Sequence, residues 1–420
     1  MTSSDPMSNS QEPFVDKGKT DAPRKLRILT FTTLYPNAAQ PTHGVFVENR
    51  IRHLHLSGSA EIRIVAPVPY FPSKSERFGA YAQFAQAPKV EDRHGLHIDH
   101  PRYLLLPKIS MLAAPFSLYA AGKRMFAQIQ REGYDFDLID AHYLYPDGIA
   151  AMLLGRTFRR PVVITARGTD VNLIPRYRLP RRMILWAARN AAALITVSAA
   201  LKDALVELGV SPEKVHVLRN GVDLKLFSPQ DRAVARAAFG AKRLTLLSVG
   251  HLIKRKGHDL IIEALPMLPD CDLLIAGDGE ECEALAALVA RLGLENRVTF
   301  LGRLAHENLP QAYSAADILV LASDREGWPN VLLEAMACGT PAVASRVWGN
   351  PEVVASPDAG ELFDERRPEA IAAAVTRLLA RNPSREATRR YAEYFSWDAT
   401  TQGQLELFNK VIANRKNDHV

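Results

Sequence analysis

The sequence predicts an α/β protein made of two doubly wound, Rossmann-like domains in tandem, and three observations carry that prediction. A chain of 420 residues is longer than one hydrophobic core usually supports. Short apolar runs alternate with longer amphipathic stretches, the pattern of strand–helix units that build a parallel sheet covered on both faces. The alternation stops once, at the turn-forming Asn220-Gly-Val-Asp223, and then starts again.

Residues 1–25 are polar, carry Pro6, Pro13 and Pro23 and lack the apolar segment of a secretory signal, so they read as a disordered tail. The first domain, 26–219, opens with the strand Arg27 to Thr32 and a helix beginning near Gly44. Its further strands are expected at Ile62 to Ala66, Leu138 to Ala141, Val162 to Thr165, Leu194 to Val197 and Val215 to Leu218. The second domain, 220–396, repeats the series at Leu244 to Val249, Leu273 to Ala276, Val298 to Leu301, Ile318 to Leu321 and Ala342 to Ala344. Residues 397–420 have helical periodicity and return the chain towards the first domain.

With 47 % apolar and 23 % charged residues the composition is that of an ordinary soluble protein. The apolar stretch Ala315 to Ala322 is far short of the roughly 20 residues a membrane-spanning helix needs. Three cysteines, Cys271, Cys282 and Cys338, lack metal or redox spacing and suit a reducing cytoplasm as buried, inert thiols. Charge is uneven: residues 1–219 carry a formal +10 and 220–420 carry −4, with nine arginines and one acid, Asp170, between Arg156 and Arg189. Such a face suits phosphates, an acidic polymer or anionic lipid, or it is a solvated surface. Arg176 to Trp186 mixes arginines with apolar residues in the manner of an interfacial helix, which predicts contact with the inner face of the cytoplasmic membrane, unless Met183 to Trp186 face the core.

In an open parallel sheet, ligands bind beyond the carboxyl ends of the strands. The loop Ser323-Asp-Arg-Glu-Gly-Trp-Pro-Asn-Val-Leu-Leu-Glu334 joins two carboxylates to a helix start. The unpaired amides of Asn330, Val331 and Leu332 suit a diphosphate, Glu334 a vicinal diol, and Glu326 whatever the phosphate carries. Gly250-His-Leu-Ile-Lys-Arg-Lys-Gly257 sets three cations where a leaving diphosphate needs them, although a solvated turn reads the same way. Ala276-Gly-Asp-Gly279 is a glycine turn that allows close backbone approach, and Gly44 offers an amide to a phosphate or simply starts a helix. His142 and Arg167-Gly168 follow first-domain strands, at the place for a site or for satisfied strand-end polar groups. His94, His97 and His100 recur at every third position without carboxylate or cysteine partners at ligand spacing, so no metal site is expected.

These loops, in this order, resemble the retaining glycosyltransferase family 4 enzymes of the GT-B fold, the group 1 glycosyl transferases, and within them a bacterial polysaccharide or teichuronic-acid type. The resemblance runs from about Leu26 to Trp397 and is most specific in Glu326 to Glu334 followed by Ala-Met-Ala-Cys-Gly-Thr-Pro341. It implies two domains facing a cleft and a sugar transferred from a nucleotide-diphosphate sugar. Glu334 would bind the ribose, Glu326 the donor sugar and Lys256 the diphosphate. Gly44 would add a backbone contact, and Trp328, Asn330 and Val331 would line the donor. Asn220 to Asp223 and Phe395-Ser-Trp397 match the two family segments that run between the domains.

The chain departs from the family at two points. His251 stands where the glycine turn usually has arginine, with Lys254 or Arg255 to compensate, and Arg167 stands where the family often has histidine. An arginine is no base at ordinary pH, so Arg167 is assigned to acceptor positioning or anion contact and His142 becomes the histidine candidate on the acceptor side. Family chemistry implies front-face transfer in which the departing phosphate takes the acceptor proton, without metal or cofactor, since Lys256 and the helix amides supply the positive charge. The implied partners are a nucleotide sugar and a glycan or polyprenyl-linked acceptor of exopolysaccharide or envelope synthesis, with no nucleic acid. The rival of another class is a non-catalytic sugar-nucleotide-binding scaffold. A GT-B epimerase or phosphorylase is a further rival, but the carboxylate set or cofactor lysine each needs is not evident.

Overall fold

The computed structural model describes residues 24–105 and 110–417. The expected tail, apart from Arg24 and Lys25, lies outside the described residues, as do the last three residues of the chain.

The first sheet has eight strands in the order Val215–Val217, Ala193–Thr196, Val162–Ala166, Leu138–His142, Leu26–Phe31, Ala60–Val65, Leu96–Asp99 and Val90–Arg93. All pairs are parallel except the last, a hairpin. The second sheet has six parallel strands in the order Val298–Gly302, Cys271–Ala276, Leu244–Val249, Ile318–Leu321, Ala342–Ser345 and Gly360–Phe363. Each sheet reverses its strand order beside its own first strand, and a crevice opens at the carboxyl ends there. This is the GT-B fold.

Three kinds of strand escaped the reading of periodicity. The hairpin Val90–Arg93 and Leu96–Asp99 has four-residue strands with alternating polar positions, and Gly360–Phe363 is a short edge strand. A two-residue pairing of Val68–Pro69 with Arg102–Tyr103 offers no period at all. The hairpin also explains the spaced histidines. His97 Nδ1 lies 3.2 Å from Asp92 and His100 Nε2 lies 2.7 Å from Glu91, so these two rings meet acids within the hairpin itself.

Both sheets are covered on both faces by buried apolar side chains. One face of the first sheet buries Ile28, Ile64 and Ile195 under the helix Val45–Leu56 and the last helix, Trp397–Asn417, which contributes Leu405, Phe408 and Val411. Cys271 and Cys338 are buried as expected, whereas Cys282 is exposed because it opens the helix Cys282–Arg291 on the outer side.

The domains are joined by two chain segments that cross each other. Val222 N–H donates to Phe395 O at 2.9 Å. A Cβ placed on Gly221 would lie 2.6 Å from Trp397 N and 2.7 Å from the Ser396 carbonyl carbon, so only glycine lets the two backbones touch. Gly221→Ala is therefore expected to force the segments apart at a cost of about 1–3 kcal/mol, read as a lowered urea midpoint. An unchanged midpoint would show that the crossing yields without strain.

Candidate active site between the domains

In the second sheet Leu244–Val249 pairs with Ile318–Leu321, Leu246 opposite Ile318. The loops that follow these two strands leave the same edge side by side, which brings residues 70 apart in sequence into contact. Lys256 Nζ donates to Glu326 Oε1 at 2.6 Å, and Ser323 Oγ donates to the same oxygen at 2.7 Å. The Arg255 guanidinium is 3.9 Å away. Burial pushes the Glu326 carboxyl up, but Lys256, Ser323 and Arg255 together outweigh it and hold it below the usual glutamate range. The loop is drawn tight by Gly257, at φ 70°, where a Cβ would lie 2.4 Å from Ala322 O. Lys254 points away and pairs with Asp259, so Arg255 is the remaining cation that can stand in at the His251 departure.

The first domain supplies the opposite wall. Gly327 presses against Arg167 so closely that a Cβ on it would meet Arg167 O at 1.8 Å. Behind that contact lies a buried polar chain. Arg167 donates through Nη2 to His142 Nδ1 at 2.5 Å and through Nη1 to Asn220 Oδ1 at 3.3 Å. His142 Nε2 then donates to Asp140 Oδ2 at 3.1 Å, which also accepts from Gln404 of the last helix at 3.2 Å. Arg50 donates to Gln404 at 2.9 Å, and Asn220 reaches across to Asn330 at 3.4 Å. Asp170 accepts from the amides of Leu144, Arg167 and Gly168 and fixes the start of this wall.

This chain corrects the reading of His142 as a catalytic candidate. The side chain is fully buried with both ring nitrogens engaged, and burial lowers its pKa to about 4, so it is neutral and out of reach of an acceptor. It orients Arg167 instead. Burial also lowers the Arg167 guanidinium, to about 9, which leaves it cationic at neutral pH.

Two adjoining hollows fill the cleft and share Phe46, Asn330 and Val331. One, of about 280 Å³, is lined by Arg167, Arg255, Lys256, Glu326 and Trp328. The other, of about 290 Å³, is more apolar and holds Glu334 with Phe227, Leu304 and Val249. Tyr313 Oη donates to Glu334 Oε2 at 2.9 Å, and His306 Nε2 lies 3.7 Å from its other oxygen. Burial lowers the His306 pKa, but Glu334 outweighs it and the net shift is upward. A carboxylate held from behind in this way presents its free lone pairs to the hollow.

Other sequence candidates divide. Of the three helix amides expected to be free, Asn330 and Leu332 are taken by the turn carbonyls of Trp328 and Pro329. The Val331 amide has no backbone carbonyl partner among the described residues. His251 lines the apolar hollow with its side chain largely exposed, 3.8 Å from Asp278. Gly279 lines neither hollow; a Cβ there would meet Leu252 O at 2.4 Å, so its role is packing, and Gly277 and Asp278 are the members of that turn at the cleft. Gly44 likewise packs on Leu34 at φ 74° and delivers its neighbours Val45 and Phe46 to the cleft rather than itself. Arg303 and His306 were missed, although the rule that directs attention to strand ends applies equally to Val298–Gly302. Asp140, Arg50 and Gln404 carried no local signal. Among the described residues, no group of three or more His, Cys, Asp or Glu side chains is placed to hold a metal ion.

Comparison with known proteins identifies the family of the two domains. The description Glycosyl transferases group 1 matches residues 230–395, and Glycosyltransferase Family 4 matches 47–226. The chain is 37 % identical over 222 residues to the D-inositol 3-phosphate glycosyltransferase of Mycobacteroides abscessus, a match covering 50 % of each chain. It thus spans about half the length of that relative. With the protein of the same name from Mycolicibacterium vanbaalenii it is 30 % identical over 331 residues, 72 % of each. Among solved structures, sucrose-phosphate synthase from Thermosynechococcus elongatus superposes with a TM-score of 0.77 at 23 % identity, over 93 % of this chain and 100 % of that one. Anabaena HepE in complex with UDP-glucose gives 0.70 at 21 %, over 92 % and 100 %.

Two outcomes follow from the buried charges. Lys256→Met leaves Glu326 buried without its ion-pair partner, at an expected cost of about 3 kcal/mol, and adding Glu326→Gln to that variant should recover part of it. A double variant no more stable than Lys256→Met would refute the pairing. His142, and His258 held by Ser248 with its pKa likewise lowered to about 4 by burial, favour the fold when neutral. Their contribution is present above the unfolded value near 6.5 and is lost as pH falls from there towards 4, about 2 kcal/mol each by pH 5. Urea titrations at pH 7 and pH 5 test this, with His258→Gln expected to lessen the difference.

Proposed function

Since the chain belongs to the group 1, family 4 glycosyltransferases, we propose that it transfers a hexosyl group from a nucleotide-diphosphate sugar to an acceptor seated on the first domain, with retention of anomeric configuration. The observation that carries this reading is the pair of adjoining hollows, with Glu334 in the apolar one and the Lys256–Glu326 pair in the polar one. A nucleoside fits the first, its ribose diol donating to Glu334. The diphosphate then lies at the Val331 amide, Lys256 and Arg255, and the sugar hydroxyls lie at Glu326.

In the reaction the bond from the anomeric carbon to phosphate oxygen breaks as the bond to the acceptor oxygen forms on the same face. The departing phosphate takes the acceptor proton. Lys256 and Arg255 are fixed where negative charge develops on the leaving group, the arrangement that contributes most to rate in a site closed to water. Charge at the diphosphate is thus met by protein groups, and the reaction as proposed requires no metal. Arg167, cationic and held by His142, positions the acceptor and takes no proton.

For the acceptor, the resemblance of the sequence motifs favours a glycan or polyprenyl-linked sugar of exopolysaccharide or envelope synthesis in the cytoplasm. The relatives named for D-inositol 3-phosphate favour a second reading, a small phosphorylated acceptor that Arg167 would meet as an anion. UDP is the first nucleotide to try, since the Anabaena structure holds UDP-glucose.

The test follows nucleotide release from a panel of nucleotide sugars in buffer containing a chelator, with lipid-linked glycans or inositol phosphate as acceptors. One donor should be cleaved, Glu326→Ala should lower kcat by about a hundredfold or more, and Glu334→Ala should raise KM by about tenfold. Tight donor binding without turnover on any acceptor would favour a non-catalytic sugar-nucleotide-binding scaffold instead.

A further inference from the structure

Sixteen large apolar side chains are exposed among the described residues, and nine of them lie on one rim of the first domain. The rim follows the carboxyl edge of the first sheet, beside the mouth of the cleft. It begins after Ala60–Val65, where Tyr70, Phe78 and Tyr81 project around Phe71, whose ring centroid is 5.3 Å from that of Phe78 and 5.5 Å from that of Tyr81. Tyr70 N–H donates to Tyr103 O at 2.7 Å, which places the exposed Leu104 next in line. Leu104 N–H in turn donates to Ser117 Oγ at 2.8 Å, on the helix Ser110–Arg131 whose first turns expose Met111, Leu112 and Phe116. Tyr145 Oη donates to Met111 O, and the turn bearing Tyr145 packs on the helix Arg178–Asn190, which begins beside the exposed Tyr177 and Leu179.

Cations are interleaved with these residues. Arg176, Arg178, Arg181 and Arg182 are exposed, and among the described residues none of them forms an ion pair. Lys74 and Arg77 are exposed at the other end of the rim, Arg77 lying over the Phe78 ring at 4.7 Å. The interfacial face expected at Met183 to Trp186 is different: those residues are half-buried or buried against the core, with Arg156 over the Trp186 ring at 4.9 Å.

We propose that this rim is a docking surface for an anionic lipid bilayer. Isolated aromatic and aliphatic side chains on four separate segments, set among unpaired arginines, match the boundary between headgroups and acyl chains. A protein partner would more commonly find a continuous apolar core with few charges at its centre. Charge complementarity commits the occupant to anionic lipid, each cation near such a surface strengthening binding by about fivefold. Because the rim lies on the same sheet edge as the cleft, docking holds the acceptor wall close to the bilayer surface. The docking itself does not depend on the transfer reaction.

The test is flotation of the full chain with vesicles of phosphatidylcholine alone or mixed with phosphatidylglycerol. Binding is expected only with phosphatidylglycerol. The combined Arg178→Gln, Arg181→Gln and Arg182→Gln variant should weaken the partition roughly a hundredfold. Tyr81→Ser with Phe116→Ser should weaken it roughly tenfold, and this second loss should persist when salt is raised. Melting temperature and donor cleavage by the same variants are expected to match wild type, which separates failure of docking from failure of the fold or of the transfer reaction. Wild type that ignores the mixed vesicles, arginine variants that float like wild type, or copies that associate through Phe116 in sedimentation would each overturn the proposal.

Discussion

Everything in the cleft depends on where the chain crosses itself between the domains. Two backbones meet there, with Val222 bonded to Phe395 and no room for a side chain at Gly221. That contact sets two parallel sheets with their carboxyl edges towards one another. Parallel strands end at one edge and begin at the other, so the loops that follow the central parallel strands of both sheets are delivered to the same gap. The last helix then returns to cover the first sheet, so the first domain is completed by residues that come after the second.

The gap holds several buried charged side chains, and most of their polar atoms are hydrogen-bonded, with Arg50 Nη2, Arg167 Nε and Asp140 Oδ1 left without a partner among the described residues. Glu326 faces Lys256, Ser323 and Arg255. Arg50 and Arg167 are buried with Asp140 and Asp170 close by, and a neutral histidine and two amide side chains pass hydrogen bonds between them. Leaving any one member unpaired in such a setting costs more than the pair gains, so the network acts as a unit. It also spans three parts of the chain, since Gln404 comes from the last helix and Asn220 touches Asn330 of the second domain. Arg167 is thereby held at one place relative to Glu326 by contacts that include both domains.

The two walls carry different kinds of information. The second domain presents Lys256, Glu326 and Glu334 on loops and a helix that leave one sheet edge. The first domain presents a wall whose polar groups are locked from behind, and outside that wall a rim of exposed apolar and cationic side chains. The two walls are fastened at the crossing, at the Gly168–Gly327 contact, and by the Arg219–Glu352 ion pair at 2.7 Å.

The sequence by itself determined the parts whose signal is local. Alternating apolar runs gave the doubly wound sheets, the Asn-Gly turn marked the interval between them, and Glu326, Glu334 and Lys256 stood out because the chemistry of each loop is written in consecutive residues. Short or polar strands such as Val90–Arg93 and Gly360–Phe363 escaped because four residues hold too little period to read. Tertiary structure alone decided what depends on distance across the fold. It sealed His142 behind Arg167, gave Gly44 and Gly279 to packing, and drew Gln404, Arg50 and Asp140 into one chain from positions up to 354 residues apart. It also gathered exposed side chains from four segments into one rim. The physical reason is the same throughout: periodicity and turn chemistry act between neighbours in sequence, whereas burial and charge pairing act between neighbours in space.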